Sequence, residues 1–129
     1  MTTFRISEVA ALLGVSADTV RRWVDSGRLA ATREERGHRI VSGPDLAAFV
    51  RDQGRQNGSG RFSSARNRMR GIVTDVVRDG VMAQVEIQAG PFRLVSLMSR
   101  EAADELGLDV GVVAEAVIKS TNVVVELPE

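Results

Sequence analysis

The chain has 129 residues, no cysteine and a single histidine, and its 17 Lys and Arg balance its 17 Asp and Glu. This composition excludes disulfide frameworks and metal sites built from thiolates or histidine clusters, and no apolar run is long enough to span a bilayer. With no leader at Met1 either, we expect a cytoplasmic protein. Residues 1–70 carry thirteen Arg against seven Asp and Glu, whereas residues 71–129 carry four basic and ten acidic residues. This asymmetry indicates two domains, the first suited to nucleic acid.

The first segment predicts two short helices separated by a glycine. One begins at a Ser7 cap and stops at Gly14, and the next runs from a Ser16 cap to about Ser26. Their apolar positions are Val9, Leu12 and Leu13 in the first helix and Val20, Trp23 and Val24 in the second. We therefore expect Trp23 to lie in a core rather than to stack on nucleic-acid bases.

The next segment predicts a hairpin and a third helix. Residues 28–41 alternate loosely around Gly37, which is typical of a β-hairpin. A third helix starts at residues 42–45 and turns Leu46, Phe49 and Val50 inward. From residue 53 to residue 63 the chain consists mainly of Gly, Ser, Asn, Gln and Arg, a composition that predicts a flexible linker. We place the first domain at residues 1–55 and the linker at residues 56–61.

Residues 62–129 predict a second domain of five short strands and one helix, arranged as a small closed or nearly closed barrel. Turns are predicted at residues 79–80 and 89–91, and the last two strands at residues 112–118 and 123–127. Ser99 is expected to cap the helix, which buries Leu106 and stops at Gly107. The predicted fold class is therefore α+β, in two domains.

Five short motifs in residues 4–55 carry a family resemblance: Ile6-Ser7-Glu8-Val9-Ala10, Gly14-Val15-Ser16, Thr19-Val20-Arg21-Arg22-Trp23, Ser26-Gly27-Arg28-Leu29 and Gly37-His38-Arg39. As a set they resemble the MerR-like and excisionase-like winged helix-turn-helix. The resemblance implies that the second helix enters the major groove of double-stranded DNA and that the hairpin wing contacts the flanking backbone. The implied contacts are Ser16, Thr19, Arg21 and Arg22 on the helix, and Arg33, Arg36, His38 and Arg39 on the wing.

Arginine suits both tasks, because its planar donor fork grips guanine edges or phosphates. The alternative is that these arginines form only a solvated face. One departure from the family pattern concerns the wing, where Glu34 and Glu35 stand in place of neutral turn residues. Two carboxylates near phosphates weaken non-specific binding, which affects the expected grip of the wing more than that of the helix. His38 is expected to form hydrogen bonds at the wing tip, without a catalytic role.

Residues 64–129 predict binding rather than catalysis. No nucleophile is paired with a base and no glycine-rich phosphate loop follows a strand, so an enzyme is the least supported class. Small hydroxyl, amide and cationic side chains instead stand near the ends of the predicted strands. A tetrahedral dianion is bound by such donors together with backbone N–H groups.

Four motifs of the second half carry a second resemblance: Ser64-Ala65-Arg66-Asn67 with Gly71, Ala83-Gln84-Val85-Glu86-Ile87, Glu105-Leu106-Gly107-Leu108 and Ile118-Lys119-Ser120-Thr121-Asn122-Val123. They resemble the Mop (molybdopterin-binding, TOBE-type) domain. The resemblance implies an OB-like barrel that binds molybdate or tungstate between subunits of a homo-oligomer, a dimer or a larger assembly such as a hexamer. The implied ligands are Ser64, Ala65 (through its backbone), Arg66 and Asn67 from one chain, and Ser99, Lys119, Ser120 and Thr121 from its neighbour.

Two of these residues have a second interpretation. Ser99 is also a helix cap, and both roles are compatible because a helix N-terminus attracts anions. Lys119 is the only lysine of a chain that otherwise uses arginine, so its presence can also reflect composition rather than a role in the site. The acidic character of this half argues against RNA binding by the OB-like fold.

Together the two resemblances imply a DNA-binding transcription regulator that senses molybdate or tungstate. Two alternatives remain open from the residues. One is an intracellular molybdate or tungstate binding or storage protein, and the other is an excisionase-like architectural DNA-binding protein whose barrel serves assembly.

Overall fold

The structure, a computed structural model, describes residues 2–56 and 63–129, and the chain divides into two compact units, Met1–Gly58 and Ser59–Glu129. Most of the predicted linker at residues 56–61 lies outside the described residues. Residues 53–56 belong to the last helix of the first unit, so the prediction of a linker from residue 53 was wrong at its start. In the parts that the structure describes, no helix is both long and apolar enough to cross a membrane.

The first unit consists of three helices and a small sheet. Its elements are β1 (Thr3–Arg5), α1 (Ile6–Leu13), α2 (Ala17–Asp25), β2 (Thr32–Arg33), β3 (Arg39–Ser42) and α3 (Gly43–Gln56). The predicted hairpin is confirmed as β2 and β3, which pair antiparallel. Strand β1, which the sequence prediction missed, pairs with the other edge of β3, so the sheet has the order β1-β3-β2.

The start and the apolar face of α1 differ from the prediction. The helix begins at Ile6, and the backbone N–H of Arg5 donates to Glu8 Oε1 at 3.0 Å, so Ser7 is not its cap. Gly14 ends the helix as predicted, with a φ of +67° that costs glycine little because it has no Cβ. Leu12 is 61% exposed, because the face that α1 buries is formed by Val9 and by its neighbour in sequence, Ala10.

The core of the first unit joins all three helices to the sheet. Its buried residues are Val9, Ala10, Val20, Leu29, Val41 and Leu46. Trp23 packs against this cluster, and its ring centroid lies 4.8 Å from that of Phe49, which confirms that it is a core residue. The inward orientation of Leu46, Phe49 and Val50 is confirmed as well.

The second unit is a curled antiparallel sheet with one short helix. Its elements are β4 (Asn67–Arg78), β5 (Met82–Ala89), β6 (Phe92–Ser99), α4 (Arg100–Glu105) and β7 (Val113–Ile118), and the strands follow the order β6-β5-β4-β7. Alternate residues of β5 are buried, and the core consists of Val73, Val85, Ile87 and Leu108. Both predicted turns are found between β4, β5 and β6.

The prediction of five strands was wrong in one strand. Residues 123–127 form no strand, and a 3₁₀ turn at Ser120–Asn122 follows β7. Their apolar side chains are largely exposed, since none of the strands that the structure describes pairs with them. An apolar groove of about 270 Å³ remains along the edge strands, lined among others by Leu94 and Met98 of β6 and Ala116 and Ile118 of β7. The sheet of the single chain is therefore open between its edges.

Helix α4 departs from the prediction at Leu106. Ser99 caps the helix as expected, since its Oγ accepts the N–H of Ala102 at 3.1 Å. Leu106 follows the last residue of this six-residue helix and is 67% exposed. The buried residue is Ala103, which lies one turn earlier, so the apolar contact of α4 with the sheet falls there.

The turn between β4 and β5 is held by a carboxylate. Asp79 Oδ1 accepts the backbone N–H of Met82 at 2.6 Å and that of Val81 at 2.7 Å. These two hydrogen bonds hold the pKa of Asp79 below its ordinary value, because they favour the ionised carboxylate.

Candidate functional site

Three candidate DNA contacts form a chain of hydrogen bonds at the start of α2. Ser16 Oγ accepts the N–H of Thr19 at 3.1 Å and lies 2.9 Å from its hydroxyl oxygen. Arg22 Nη2 donates to the same Thr19 Oγ1 at 3.3 Å. Ser16 is therefore the helix cap, and Thr19 orients the guanidinium of Arg22 on the exposed face of α2.

Three of the other four candidate arginines, Arg21, Arg33 and Arg39, already have partners within the unit. Arg21 Nη1 lies 2.8 Å from Asp18 Oδ1, and Arg39 Nη1 lies 2.7 Å from Asp25 Oδ1. The second pair joins the wing to the last residue of α2. Arg33 Nη1 donates to the carbonyl oxygen of Gly37 at 2.8 Å, across the turn of the hairpin. These contacts orient the guanidinium groups while leaving them at the surface, where a phosphate can reach them.

An open cleft of about 520 Å³ brings helix and wing residues together. Its lining consists of Arg5, Ile6, Ser7, Arg21, His38 and Arg39. Arg5 was missed by sequence reasoning because β1 was missed; its register opposite Ile40 places it beside the wing. Arg36, in contrast, is exposed at the hairpin turn and does not line this cleft.

Arg5 also forms an ion pair with one of the two wing carboxylates. Arg5 Nη2 lies 3.4 Å from Glu34 Oε1, so the charge of Glu34 is balanced within the unit. Glu35 is exposed at the hairpin turn. The weakening of DNA binding that we expected from two wing carboxylates should therefore come mainly from Glu35.

In the second unit, the two segments of the candidate oxyanion site adjoin within one chain. Asn67 pairs with Ile118 in the β4–β7 ladder, and its Nδ2 donates to the carbonyl oxygen of Ile118 at 3.0 Å. The Ser64–Asn67 segment therefore ends where the Lys119–Thr121 segment begins. Lys119 precedes the 3₁₀ turn, in which its carbonyl oxygen accepts the N–H of Asn122 at 2.9 Å.

The Ser64–Asn67 segment is itself held by Ser63. Ala65 is buried, and its N–H donates to Ser63 Oγ at 3.0 Å, while Arg66 Nη1 donates to the carbonyl oxygen of Ser63 at 3.0 Å. Arg66 and Ser64 remain exposed. This end of the sheet thus combines two cations, Arg66 and Lys119, with small hydroxyl groups, a donor set that suits an anion.

Ser99 is the one candidate ligand that the register separates from the others. It pairs with Met82, at the end of the sheet where the 12-residue strand β4 finishes, whereas Asn67 begins β4. Within one chain, Ser99 therefore does not approach Asn67 or Lys119. Its hydroxyl is used as the cap of α4.

Comparison with known proteins assigns both units. The model of the TOBE domain matches residues 63–125, and that of a helix-turn-helix domain matches residues 3–54. Molybdenum-pterin-binding protein 1 of Clostridium pasteurianum is 36% identical over 63 residues, which are 48% of this chain and 93% of that protein. The chain belongs to the TOBE-domain family. Molybdenum-pterin-binding protein 3 of the same organism is 38% identical over the same share of both chains.

Solved structures are similar to this TOBE unit. The molybdate-bound form of the cytoplasmic molybdate-binding protein ModG is 37% identical, with a TM-score of 0.50, over 54% of this chain and 50% of that one. Apo MopII from Clostridium pasteurianum is 33% identical, with a TM-score of 0.48, over 50% of this chain and 98% of that one. The match of the TOBE-domain model accounts for the second unit, and that of the helix-turn-helix model accounts for the first.

Proposed function

We propose that this protein is a cytoplasmic DNA-binding transcription regulator that senses molybdate or tungstate through its TOBE unit. The observation that carries the proposal is the hydrogen bond from Asn67 to Ile118, which brings the Ser64–Asn67 and Lys119–Thr121 segments side by side. In the same chain, a helix-turn-helix unit carries a cleft lined by arginines. One chain therefore joins an anion-binding arrangement to a DNA-binding one.

The chemistry of the TOBE unit favours an oxyanion. Burying a dianion costs several kcal/mol unless charge and hydrogen bonds compensate it, and Arg66 and Lys119 supply that charge. Further donors are the hydroxyl groups of Ser64, Ser120 and Thr121. Relatives named for molybdenum-pterin binding and a ModG structure with molybdate bound support this ligand class. Molybdate and tungstate are both tetrahedral dianions, so both are candidate ligands.

For the DNA, we propose that α2 enters the major groove with Arg22 and Arg21, and that Arg39, Arg33, Arg36 and His38 contact the flanking backbone. The cleft between α1, α2 and the wing supports this arrangement, because Arg5, Arg21, His38 and Arg39 meet there. Phosphate contacts position a protein on the duplex, whereas base contacts of the helix specify the sequence. The protein is not expected to be an enzyme.

A homo-oligomer is supported by the apolar surface of the TOBE unit. The groove along β6 and β7 is open, and the exposed segment after the 3₁₀ turn contains Val123, Val124, Val125 and Leu127. Monomeric proteins rarely leave such a large apolar area in water. We propose that second copies of the chain cover it, and that Ser99 can join an oxyanion site only as a residue of another copy.

Calorimetric titration with molybdate, tungstate and sulfate tests the ligand class. We expect tight binding of the first two, and Lys119→Ala and Arg66→Ala should each weaken it at least about tenfold, the value of one lost charged hydrogen bond. Arg93→Ala is the matched control, because this exposed arginine of the same unit pairs with Glu86, away from both segments. Equal binding of sulfate, or equal losses in the control, would contradict the proposed site.

Mixing the two variants tests whether the pocket is shared between chains. If one chain supplies Arg66 and another Lys119, subunit exchange between the two variants should regenerate some pockets with both wild-type segments. If the adjoining segments of one chain form the pocket, the mixture binds no better than either variant alone. The measurement is titration of the co-refolded mixture, with exchange verified by a mass label.

DNA binding with and without the oxyanion separates the three functional classes. A sensor binds its DNA with an affinity that changes on addition of the ligand, because the two binding free energies are coupled. Ligand binding without any effect on DNA favours a storage protein. DNA binding without oxyanion binding favours an architectural protein whose TOBE unit serves assembly.

A further inference from the structure

The positive charge that the sequence assigned to the DNA-binding half is divided differently by the structure. With the unit boundary after Gly58, the first unit carries nine Arg against seven Asp and Glu, and the TOBE unit carries seven Arg and Lys119 against ten Asp and Glu. Arg66, Arg68 and Arg70 lie in the TOBE unit, and no acidic residue occurs between Asp52 and Asp75. The basic charge is therefore concentrated at the start of the TOBE unit, although that unit is acidic overall.

Two of these arginines stand on the outer face of β4. Arg68 and Arg70 are both exposed, whereas their neighbours Met69 and Gly71 are partly covered. Residues two apart on a strand point to the same face and are about 7 Å apart. The pairing of β4 with β5 begins only at Ile72, so the first five residues of β4 pair with β7 alone. The two guanidinium groups therefore stand on a projecting part of the sheet.

On the paired strand β7, the acidic charge beside these two arginines is a single carboxylate, that of Glu115. On the outer face of β7 the neighbours are Val113, Glu115 and Val117. Glu115 is opposite Arg70 in the register, but its Oε1 lies 3.0 Å from Nη1 of Arg68. In residues 2–56 and 63–129, Arg70 forms no ion pair. Arg66 and Lys119 at the same end of the sheet leave an excess of positive charge.

We propose that Arg68 and Arg70 form a second DNA-contacting surface, which binds the phosphate backbone of double-stranded DNA independently of sequence. Their exposure suits a polyanion, since a row of accessible cations neutralises successive phosphates and releases counterions. A small dianion needs convergent donors instead, and these are found at Arg66 and Lys119. The inference rests on the proposed DNA binding and extends it from the helix-turn-helix unit to the TOBE unit.

The test measures DNA affinity of the full chain over a series of salt concentrations. The probes are a duplex selected from random sequences with the wild-type chain, and a scrambled duplex of the same length and composition. Arg70→Gln should reduce the slope of log affinity against log salt by about 0.9, the value of one lost phosphate contact. Affinity for both duplexes should fall by the same factor, because no base is read.

Two further variants make the test specific. Arg93→Gln removes another exposed arginine of the same sheet, one that is paired with Glu86, and should leave the slope unchanged. Glu115→Gln frees Arg68 and should strengthen binding to the scrambled duplex, an effect that loss of structure would not produce. The proposal is overturned by an unchanged slope in Arg70→Gln or by an equal loss in Arg93→Gln.

Oxyanion titration of Arg70→Gln keeps this inference apart from the proposed function. Wild-type molybdate affinity is expected, and a loss would assign Arg70 to the oxyanion site and overturn the proposal. If ligand changes wild-type DNA binding but Arg70→Gln keeps the full salt slope, the sensor function stands and the second surface fails. If the slope falls but ligand has no effect on DNA, the second surface stands and the sensor function fails. A wild-type chain that binds neither duplex would contradict both.

Discussion

The two units of this chain differ in how far they bury their apolar side chains. The helix-turn-helix unit buries a cluster that includes Val9, Val20 and Leu29, and within residues 2–56 only Leu12 among its large apolar side chains is exposed. The TOBE unit exposes fifteen such side chains, including Phe92, Leu97 and the valines after β7. The first unit therefore completes its core within one chain. Because exposed apolar area of this extent marks binding surfaces, we expect the second unit to require further copies of the chain.

The largest expected effect concerns the interior of the TOBE sheet. A Cβ at Gly71 would lie within 3 Å of the backbone carbonyl of Gln88, a separation that side chains do not tolerate. Gly71→Ala should therefore destabilise the TOBE unit by about 4 kcal/mol or more, because the strands must separate. The β-sheet signal in circular dichroism should be lost at a lower temperature than in the wild type. The fluorescence of Trp23, the only tryptophan, should show an unchanged melting temperature for the first unit.

Gly80→Ala is the matched control for that change. Nothing lies within 4 Å of a Cβ at Gly80, and its φ is not positive. Replacing glycine where the backbone permits it stabilises by about 0.4–1 kcal/mol. If both units of Gly71→Ala melt together at a lower temperature, the units depend on each other for stability. That result would contradict the view that the first unit completes its core by itself.

The next largest effect is expected from a change in the core of the first unit. Leu29 is 1% exposed, and Leu29→Ala leaves a cavity that should cost about 2–5 kcal/mol. Leu12→Ala removes the same atoms from an exposed position and should change stability by less than about 0.5 kcal/mol. Leu29→Ala should abolish DNA binding at elevated temperature and leave molybdate titration unchanged. Loss of oxyanion binding in this variant would show that the TOBE unit is not autonomous.

A third change tests what covers the exposed residues of the TOBE unit. Leu97 lies on the outer face of the edge strand β6, opposite Gln84, and is 69% exposed in the single chain. If other copies cover this face, Leu97→Glu should weaken the oligomer by about 2 kcal/mol or more, since it buries an unpaired charge. Sedimentation should show smaller species, and Leu12→Glu in the first unit should not. Identical assemblies of both variants and wild type would exclude this face from the contact.

Particular residues show how far sequence reasoning reached. Helix α2 with its Ser16 cap, the hairpin and the turns on both sides of β5 were predicted, because their patterns are local and complete. Strand β1 was missed, and Arg5 with it, because three residues carry no period and their pairing partner lies more than 30 residues away. Residues 123–127 have the composition of a strand, but a strand forms only where a partner edge exists, and composition does not contain that information.

The candidate oxyanion site shows the same limit of sequence reasoning. The motifs identified the residues around Asn67 and Lys119, and their adjacency followed only from the β4–β7 register. The position of Ser99 at the other end of the sheet also depends on register. A motif states which residue types occur, whereas the pairing of strands decides which of them meet.

The smallest expected effects concern a feature that the two units share. Ser16 and Ser99 were both predicted as ligand contacts, and each caps a helix by accepting an N–H at 3.1 Å. Ser16→Ala and Ser99→Ala should each destabilise their own unit by about 1 kcal/mol. Aspartate caps a helix about as well as serine, so Ser99→Asp should keep the stability of the TOBE unit.

Ser99→Asp also decides between the two roles of this residue. A carboxylate next to a bound dianion repels it, so the variant should lose molybdate affinity about tenfold or more if Ser99 of another copy reaches the ligand. If Ser99 is only a cap, molybdate affinity stays at the wild-type value while Ser99→Ala alone lowers the melting temperature. Ser16→Asp is the parallel test in the first unit, where unchanged stability with weaker DNA binding would place a phosphate near the start of α2. Unchanged binding in both aspartate variants would leave each serine with the capping role that its hydrogen bond already shows.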